Sequence, residues 1–199
     1  MNHNEVNIAG VGIFQGDIDA DIVKCFGVGK TLGTVKCRQM MVKGVFSTTK
    51  RVYAQSVDVK GVLKCASELS AERFVVMGSV VSQSLLNGGE IDIQFERLSK
   101  AREVGGERIS IRPGDFFHKE RLGKPGKQFM GLIPNGVFKA EVIEGNDIYL
   151  ENVQAGTVRG QNVVIGPNCR VAYLEYSNKA KVHESSNVLE IKGQKVRNI

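Results

Sequence analysis

The sequence predicts an all-β protein whose chain winds as a parallel, triangular β-helix. Glycine accounts for 23 of the 199 residues, well above its usual share of about 7%, and it is spread through segments rich in valine and isoleucine. Such sequences form many short strands separated by tight turns. An internal 17-residue repeat defines the arrangement further, because glycines recur in register at Gly10, Gly27, Gly44, Gly61 and Gly78.

Columns of apolar residues keep the register of these glycines. Four residues before each glycine, the apolar column comprises Val6, Val23, Met40, Val57 and Phe74. Two residues before each glycine, it comprises Ile8, Cys25, Val42, Val59 and Val76. Alternate side chains of a strand face the same side, so columns two residues apart indicate strands. Apolar positions within one repeat advance in three steps, as in Val6, Gly12, Ile18 and Val23, which divides each coil into three short strands. Equivalent positions of successive coils then stack at about 4.8 Å.

The repeat loosens after Ile93 but continues to near the end of the chain. The interval is one residue longer than the regular repeat between Ile91 and Ile109. It is two residues shorter than the regular repeat between Ile148 and Val163. We therefore predict regular coils in residues 1–111, an excursion in residues 112–139, irregular coils in residues 140–191 and a basic tail in residues 192–199.

The predicted excursion differs from the coils in composition. It contains three of the four prolines and four of the nine phenylalanines, and proline is excluded from central ladders because it lacks the donor N–H. Its six Lys or Arg against two Asp or Glu give a charge of +4, the tail contributes +3, and the rest of the chain −1. The excursion either folds over one face with its phenylalanines buried or exposes a basic, aromatic surface to an anionic membrane or a partner. The residues of that candidate surface are Phe116, Phe117, Lys119, Arg121, Lys124 and Lys127.

The stretch GVGKT at residues 27–31 is similar to the end of a phosphate-binding loop. The full pattern needs a further glycine five residues before Gly29, so that consecutive backbone N–H groups wrap a phosphate, and it opens a helix. Lys24 occupies that position, and the following residues favour strands. The 17-residue register instead makes Gly27 a turn residue and Gly29 an inward position. We expect no nucleotide and no cofactor.

The remaining chemistry-bearing residues predict neither a metal site nor a secreted protein. The four cysteines form no C-x-x-C pair, and we interpret them as small, reduced apolar residues. The three histidines have no companion at metal-ligand spacing, and no nucleophile elbow is present. The N-terminus lacks a secretory signal, and no apolar run reaches the roughly 20 residues that span a bilayer. We expect a cytoplasmic protein, with peripheral association at the inner membrane as an option.

One catalytic alternative comes from the stretch IGPNCRV at residues 165–171. It resembles the hexapeptide repeat of left-handed β-helix acyltransferases, whose coils consist of three strict hexapeptides and whose trimers use a histidine base. That base would be His118 or His183 here. The 17-residue spacing of five glycines favours a different family, and we predict a protein that is not an enzyme.

With the repeat established, the chain resembles the bactofilins, which are bacterial polymer-forming cytoskeletal proteins. The resemblance rests on VDVKGVLKCASELSAERFVVMGSV and GGEIDIQF, while VGGERISIR and the coils after residue 142 resemble the longer, two-part members of Gram-positive bacteria. It implies a right-handed β-helix that polymerises end to end without nucleotide. It also implies a scaffold for proteins at the inner membrane or in the cell-wall machinery, with no nucleic acid as partner.

A physical reason for end-to-end assembly lies in the terminal coils. A β-helix ends in backbone N–H and C=O groups and in a core edge that need a cap or a partner. Val6 and Ile8 lie in the first coil, and the closing segment SNVLEIKG places Leu189 and Ile191 in the last. We predict that these four residues form the polymer interface. The alternatives are a second half that caps one end and limits assembly to a dimer, or a peripheral membrane-binding module built on the excursion.

Overall fold

The computed structural model describes residues 3–114, 136–193 and 196–198. The secondary structure of these residues consists of β-strands, without a helix. Seventeen strands form one sheet in which neighbouring strands run parallel. The chain winds through about ten turns of a β-helix, which confirms the predicted fold class. The right-handed sense of the coil stays a prediction from the resemblance.

The strands follow one another with short turns between them. They are β1 (His3–Ile8), β2 (Val11–Phe14), β3 (Ile18–Cys25), β4 (Val28–Thr31), β5 (Val35–Val42), β6 (Val45–Thr48), β7 (Val52–Val59), β8 (Val62–Cys65), β9 (Leu69–Ser82), β10 (Leu85–Phe95), β11 (Ser99–Lys100), β12 (Glu103–Pro113), β13 (Phe138–Leu150), β14 (Val153–Ile165), β15 (Arg170–Val182), β16 (Asn187–Lys192) and β17 (Val196–Asn198). In the first four coils, a strand of six or eight residues alternates with a strand of four.

The strand register reproduces the repeat that the sequence predicts. Val23 pairs with Val6 on one side and with Met40 on the other, which is the 17-residue interval. The interval is one residue longer between β10 and β12, where Ile91 pairs with Ile109. It is two residues shorter between β13 and β14, where Ile148 pairs with Val163. β12 pairs directly with β13, so the coils before and after the gap in the described residues form one continuous stack.

Each regular coil has three sides. In β3, Ile18 and Ala20 are buried, and so are Val23 and Cys25. The alternation of buried residues slips by one between Ala20 and Val23, which indicates that the strand turns a corner there. The short strand β4 forms the third side, with its second and fourth residues buried.

The turn glycines recur because successive coils approach closely at this corner. A Cβ on Gly27 would lie 2.0 Å from the carbonyl oxygen of Gly10, and that oxygen accepts a hydrogen bond of 2.8 Å from the Val28 N–H. Gly44 stands in the same relation to Gly27, again at 2.0 Å. Any side chain at these turns would displace a carbonyl of the backbone ladder, so the glycine interval records the stacking itself.

Gly29 has a different role, which is to leave space inside the coil. It occupies the inward position that Phe46 fills in the next coil. A Cβ on Gly29 would lie 2.6 Å from Cδ2 of Phe46 and 2.9 Å from Cδ1 of Ile8. Phe46 is fully buried, so its ring takes the volume that Gly29 leaves free. The stretch GVGKT is therefore a turn and a strand, without the helix that a phosphate-binding loop opens.

A column of small polar side chains lines one interior corner. Its members hydrogen-bond to the turn of the coil before, and they are Thr31, Thr48, Cys65 and Ser82. The Thr48 hydroxyl donates to the Gly33 carbonyl at 2.7 Å and accepts from the Lys50 N–H at 3.1 Å. These groups satisfy turn backbone atoms that would otherwise be buried without partners. The column keeps the 17-residue interval, four residues after each turn glycine.

The strands on both sides of the predicted excursion reach into its bounds of residues 112–139. β12 extends to Pro113, and β13 begins at Phe138 rather than after residue 139. Phe138 is fully buried, and its ring centroid lies 6.3 Å from that of Phe95. Its side chain completes the core of the stack, so this residue belongs to the ladder. The strand β17 likewise lies within the predicted basic tail and pairs with β15.

Replacing Gly29 by alanine tests the packing against Phe46. The new methyl group overpacks a full interior, so we expect Gly29→Ala to lower the free energy of unfolding by about 1–3 kcal/mol. Gly16→Ala is the matched control, because a Cβ at Gly16 meets nothing within 4 Å. Urea denaturation of both variants measures the difference, and equal stability of the two would refute the packing role of Gly29.

Replacing Thr48 tests the polar column. Thr48→Val keeps the shape of the side chain but leaves the Gly33 carbonyl and the Lys50 N–H without their partner, so we expect a loss of about 2 kcal/mol in unfolding free energy. Thr48→Ser keeps the hydroxyl, which Ser82 already provides in the same column, and should lose markedly less. A valine variant as stable as the serine variant would show that the hydroxyl contributes nothing.

Candidate assembly surfaces

The N-terminal end of the stack presents an open edge among the described residues. Among residues 3–114, 136–193 and 196–198, β1 pairs only with β3, and β2 pairs only with β4. One side of each strand therefore offers backbone N–H and C=O groups without a ladder partner, which is a template for another strand. Val6, which heads the column of the fully buried Val23, is only half-buried here.

Ile8 differs from Val6, although the sequence predicts both at the interface. Ile8 keeps only 4% of its surface exposed, and its side chain packs over two glycines, Gly12 and Gly29. The small residues of the first two coils let Ile8 turn into the interior. Ile8 thus belongs to the core of the first coil, and Val6 lies at its rim.

The C-terminal end shows an interior column that reaches the surface. Ile191 lies beside Leu174 in the register of β16 on β15, and Leu174 is fully buried whereas Ile191 is 43% exposed. The difference arises because no strand among the described residues stacks on the outer side of β16. Leu189 is 72% exposed. Val188 lies beside the buried Val171, so the inward alternation slips by one between Val188 and Ile191, as it does at the corner of β3. Leu189 lies at this corner and belongs to the flank of the coil.

The predicted basic and aromatic surface cannot be placed in this fold. Its six residues, Phe116, Phe117, Lys119, Arg121, Lys124 and Lys127, all lie outside the described residues, and so does His118. The prediction of a membrane or partner surface in this segment therefore stays a prediction.

His183, the second candidate base of the acyltransferase alternative, lies in the turn after β15. Its Nδ1 lies 2.9 Å from the Ser185 hydroxyl and accepts a hydrogen bond of 3.2 Å from the Ser185 N–H. These contacts close a local turn. Among residues 3–114, 136–193 and 196–198, no three His, Cys, Asp or Glu side chains gather in a way that could hold a metal ion.

A shallow groove of about 540 Å³ crosses the later coils. Its polar lining is mostly neutralised internally, since Arg112 pairs with Asp92 at 2.7 Å and Asn162 donates to Asp147 at 2.7 Å. Tyr149 hydrogen-bonds to Glu151, and this bond raises the pKa of Tyr149 to about 12. The residues that line the groove include no nucleophile paired with a base.

The four cysteines are free of disulfide bonds, and Cys25, Cys65 and Cys169 are buried. Burial raises the pKa of every one of these thiols, to about 12 for Cys37 and about 11 for Cys169. A raised pKa keeps a thiol protonated near neutral pH and hence unreactive. Cys65 uses its sulfur in the polar interior column, where it contacts the Lys50 carbonyl at 2.9 Å.

A third surface, on the flank of the stack, was not predicted from the sequence. We call it the lysine face, and it comprises the strands β2, β4, β6 and β8 with their turns, residues 9–16, 26–33, 43–50 and 60–67. These residues include no Asp or Glu, and their charged side chains are Lys30, Lys43, Lys50, Lys60 and Lys64. All five lysines are exposed. The sequence could have indicated this face, because these four ranges recur with the repeat and each contains no acidic residue.

Comparison with known proteins gives two relatives. The chain is 36% identical over 107 residues to the uncharacterized protein YhbF of Bacillus subtilis and 34% identical over 105 residues to the uncharacterized protein YhbE of the same organism. These matches include 53% and 52% of this chain and 40% of each relative, so the chain spans well under two thirds of their length. No family model and no solved structure matches. In the part of the chain that the structure describes, no helix has the length and apolar character to cross a membrane.

The raised thiol pKa values predict that stability falls in alkali. Below pH 9, the ordinary value, folded and unfolded chains both keep their thiol protons. Between pH 9 and about 12 for Cys37, the unfolded chain loses a proton that the folded chain holds, so the free energy of unfolding decreases with pH.

Urea denaturation under reducing conditions at pH 8 and pH 10.5 measures this effect. Cys37→Ala is the control, since alanine occupies the same column at Ala20, Ala54 and Ala71. Its stability should fall less steeply between the two pH values than that of the wild type. Identical slopes would show that burial does not shift the titration of Cys37.

Proposed function

We propose that this protein is a structural scaffold that assembles end to end into polymers without nucleotide. The observation that carries the proposal is the contrast along one interior column at the C-terminal end. Ile143, Val158 and Leu174 are fully buried, and Ile191, the next member, is 43% exposed. Within the described residues the core is thus interrupted rather than closed, and another coil placed on β16 would continue it.

Stacking of ends has a favourable free energy for two reasons. Burying a side chain such as isoleucine contributes roughly 1.5–3 kcal/mol, and a new strand on the open edge satisfies a row of backbone groups at once. Each molecule has two open ends in the described residues, at β1 and at β16. A contact that leaves a free end on each new subunit extends without limit, which gives filaments rather than a closed oligomer.

The strand that carries GVGKT supports assembly without nucleotide. Gly29 and Thr31 face the interior, whereas the Lys30 side chain points outward from the middle of β4. The Thr31 hydroxyl donates to the Gly16 carbonyl at 2.7 Å and accepts from the Gly33 N–H at 3.1 Å. These groups are engaged in holding the turn, so they offer no cradle for a phosphate.

The resemblance to bactofilins supports the same function. Proteins of that family polymerise without nucleotide and act as scaffolds, which fits an open-ended β-helix. In this proposal the filament lies in the cytoplasm and recruits proteins of the cell envelope or of morphogenesis. Its primary partner is another copy of this chain.

Two variants of β16 test the end-stacking interface. Ile191→Lys places a charge at the end of the interior column, where a stacked coil would bury it, so we expect filaments to disappear and the sedimentation coefficient to fall to that of a monomer. Leu189→Lys introduces the same charge two residues away on the flank, and filaments should persist. Negative-stain microscopy and sedimentation without nucleotide measure both outcomes.

A second pair of variants makes the test independent of one strand. Val6→Lys places a charge at the rim of the first coil. Asn7→Lys is the matched control, because Asn7 is the next residue and is exposed. Only the first should impair assembly, and circular dichroism should show that both variants keep the β-helix. Filaments that survive both Ile191→Lys and Val6→Lys would exclude the ends as the interface.

A further inference from the structure

We infer that the lysine face binds the surface of an anionic phospholipid bilayer. This face runs along the flank of the stack, and of its four strands only β2 also belongs to the N-terminal end. Its outward positions are visible in β4, where Val28 and Lys30 are exposed and Gly29 and Thr31 are buried. The register of β2, β4, β6 and β8 repeats this pattern over four successive coils.

The charged side chains of this face are all lysines, and none of them forms an ion pair with another residue of the described part of the chain. Most ion pairs among the described residues join different coils, as in Arg38 with Asp21 at 3.0 Å and Arg73 with Glu90 at 3.4 Å. None of these pairs includes a lysine of the lysine face. Five exposed lysines on a face that contains no Asp or Glu create a local positive potential that attracts an anionic surface.

Apolar side chains stand among these lysines. Val11, Ile13 and Val28 are 79%, 63% and 49% exposed, and Phe26 and Leu32 are also exposed. They gather in the first two coils, and the Lys43 ammonium lies 5.5 Å from the centroid of the Phe26 ring. A contiguous exposed apolar patch marks an interaction surface. Lysines keep their ammonium groups in the polar layer while their stems cover apolar surface.

This combination fits lipid better than it fits a nucleic acid. Proteins that bind single-stranded nucleic acid stack bases on aromatic side chains, and proteins that read duplexes place side chains in a groove. The lysine face instead presents exposed valine, isoleucine and leucine side chains in its first two coils, and Phe26 is its one exposed aromatic residue. Apolar side chains at the level of the headgroups, with lysines around them, are typical of interfacial membrane binding.

Sedimentation with lipid vesicles tests the inference on the full chain. We expect the protein to bind vesicles of phosphatidylcholine with phosphatidylglycerol, to bind vesicles of phosphatidylcholine alone much less, and to dissociate at high salt. The variant Lys43→Glu with Lys60→Glu should bind the anionic vesicles about tenfold more weakly. Lys36→Glu with Lys181→Glu is the matched control, because it makes the same charge change at exposed lysines on other sides of the stack.

A second variant separates lipid from other polyanions. Phe26→Ser with Val28→Ser leaves the charge unchanged and removes apolar contact, so it should weaken vesicle binding, whereas Leu189→Ser should not. Duplex DNA serves as the competing probe. Equal losses in both lysine variants, or vesicle binding that survives every change in the lysine face, would overturn the inference. DNA binding that depends on Lys43 and Lys60 but not on Phe26 and Val28, with vesicle binding absent, would also overturn it.

Discussion

Parallel backbone hydrogen bonds hold successive coils about 4.8 Å apart, and the position of nearly every described side chain follows from this ladder. Where two turns stack, a Cβ would lie 2.0 Å from the carbonyl below, so Gly27 and Gly44 are glycines. Where the chain turns inside, Thr31 and Thr48 bond to the previous turn. The interior also balances volume between coils, since the ring of Phe46 uses the space above Gly29.

A ladder that is satisfied between neighbouring coils is unsatisfied where the neighbours end. That property distinguishes two kinds of surface in this protein. The ends carry open strand edges and interrupted core columns, as at Val6 and Ile191, and they favour another copy of the same fold. The flank that carries Lys30 and Lys43 has its backbone paired on both sides, so only its side chains are available for binding. Assembly therefore uses backbone edges and core columns, whereas surface binding uses exposed side chains, and β2 belongs to both surfaces.

The fold was predictable because the 17-residue period places equivalent side chains in columns, as in Val6, Val23 and Met40. Exposure at the ends was harder to predict, since the sequence does not show that Gly12 lets Ile8 turn inward or that Leu189 and Ile191 point to different sides. The return at Phe138 was not predicted because charge and proline content define a segment only coarsely. The polar column and the lysine face also follow the 17-residue period. They were not predicted, because the coils were predicted from the apolar columns alone.

Electron cryomicroscopy of assemblies formed by the purified chain tests end-to-end stacking most directly. If coils continue from one molecule into the next, the strands lie across the filament, and averaged images should show a meridional reflection at about 4.8 Å. About ten turns per molecule should then space successive molecules by roughly 50 Å. Filaments whose reflection at about 4.8 Å lies on the equator, or a particle that stays monomeric at every concentration, would contradict the account.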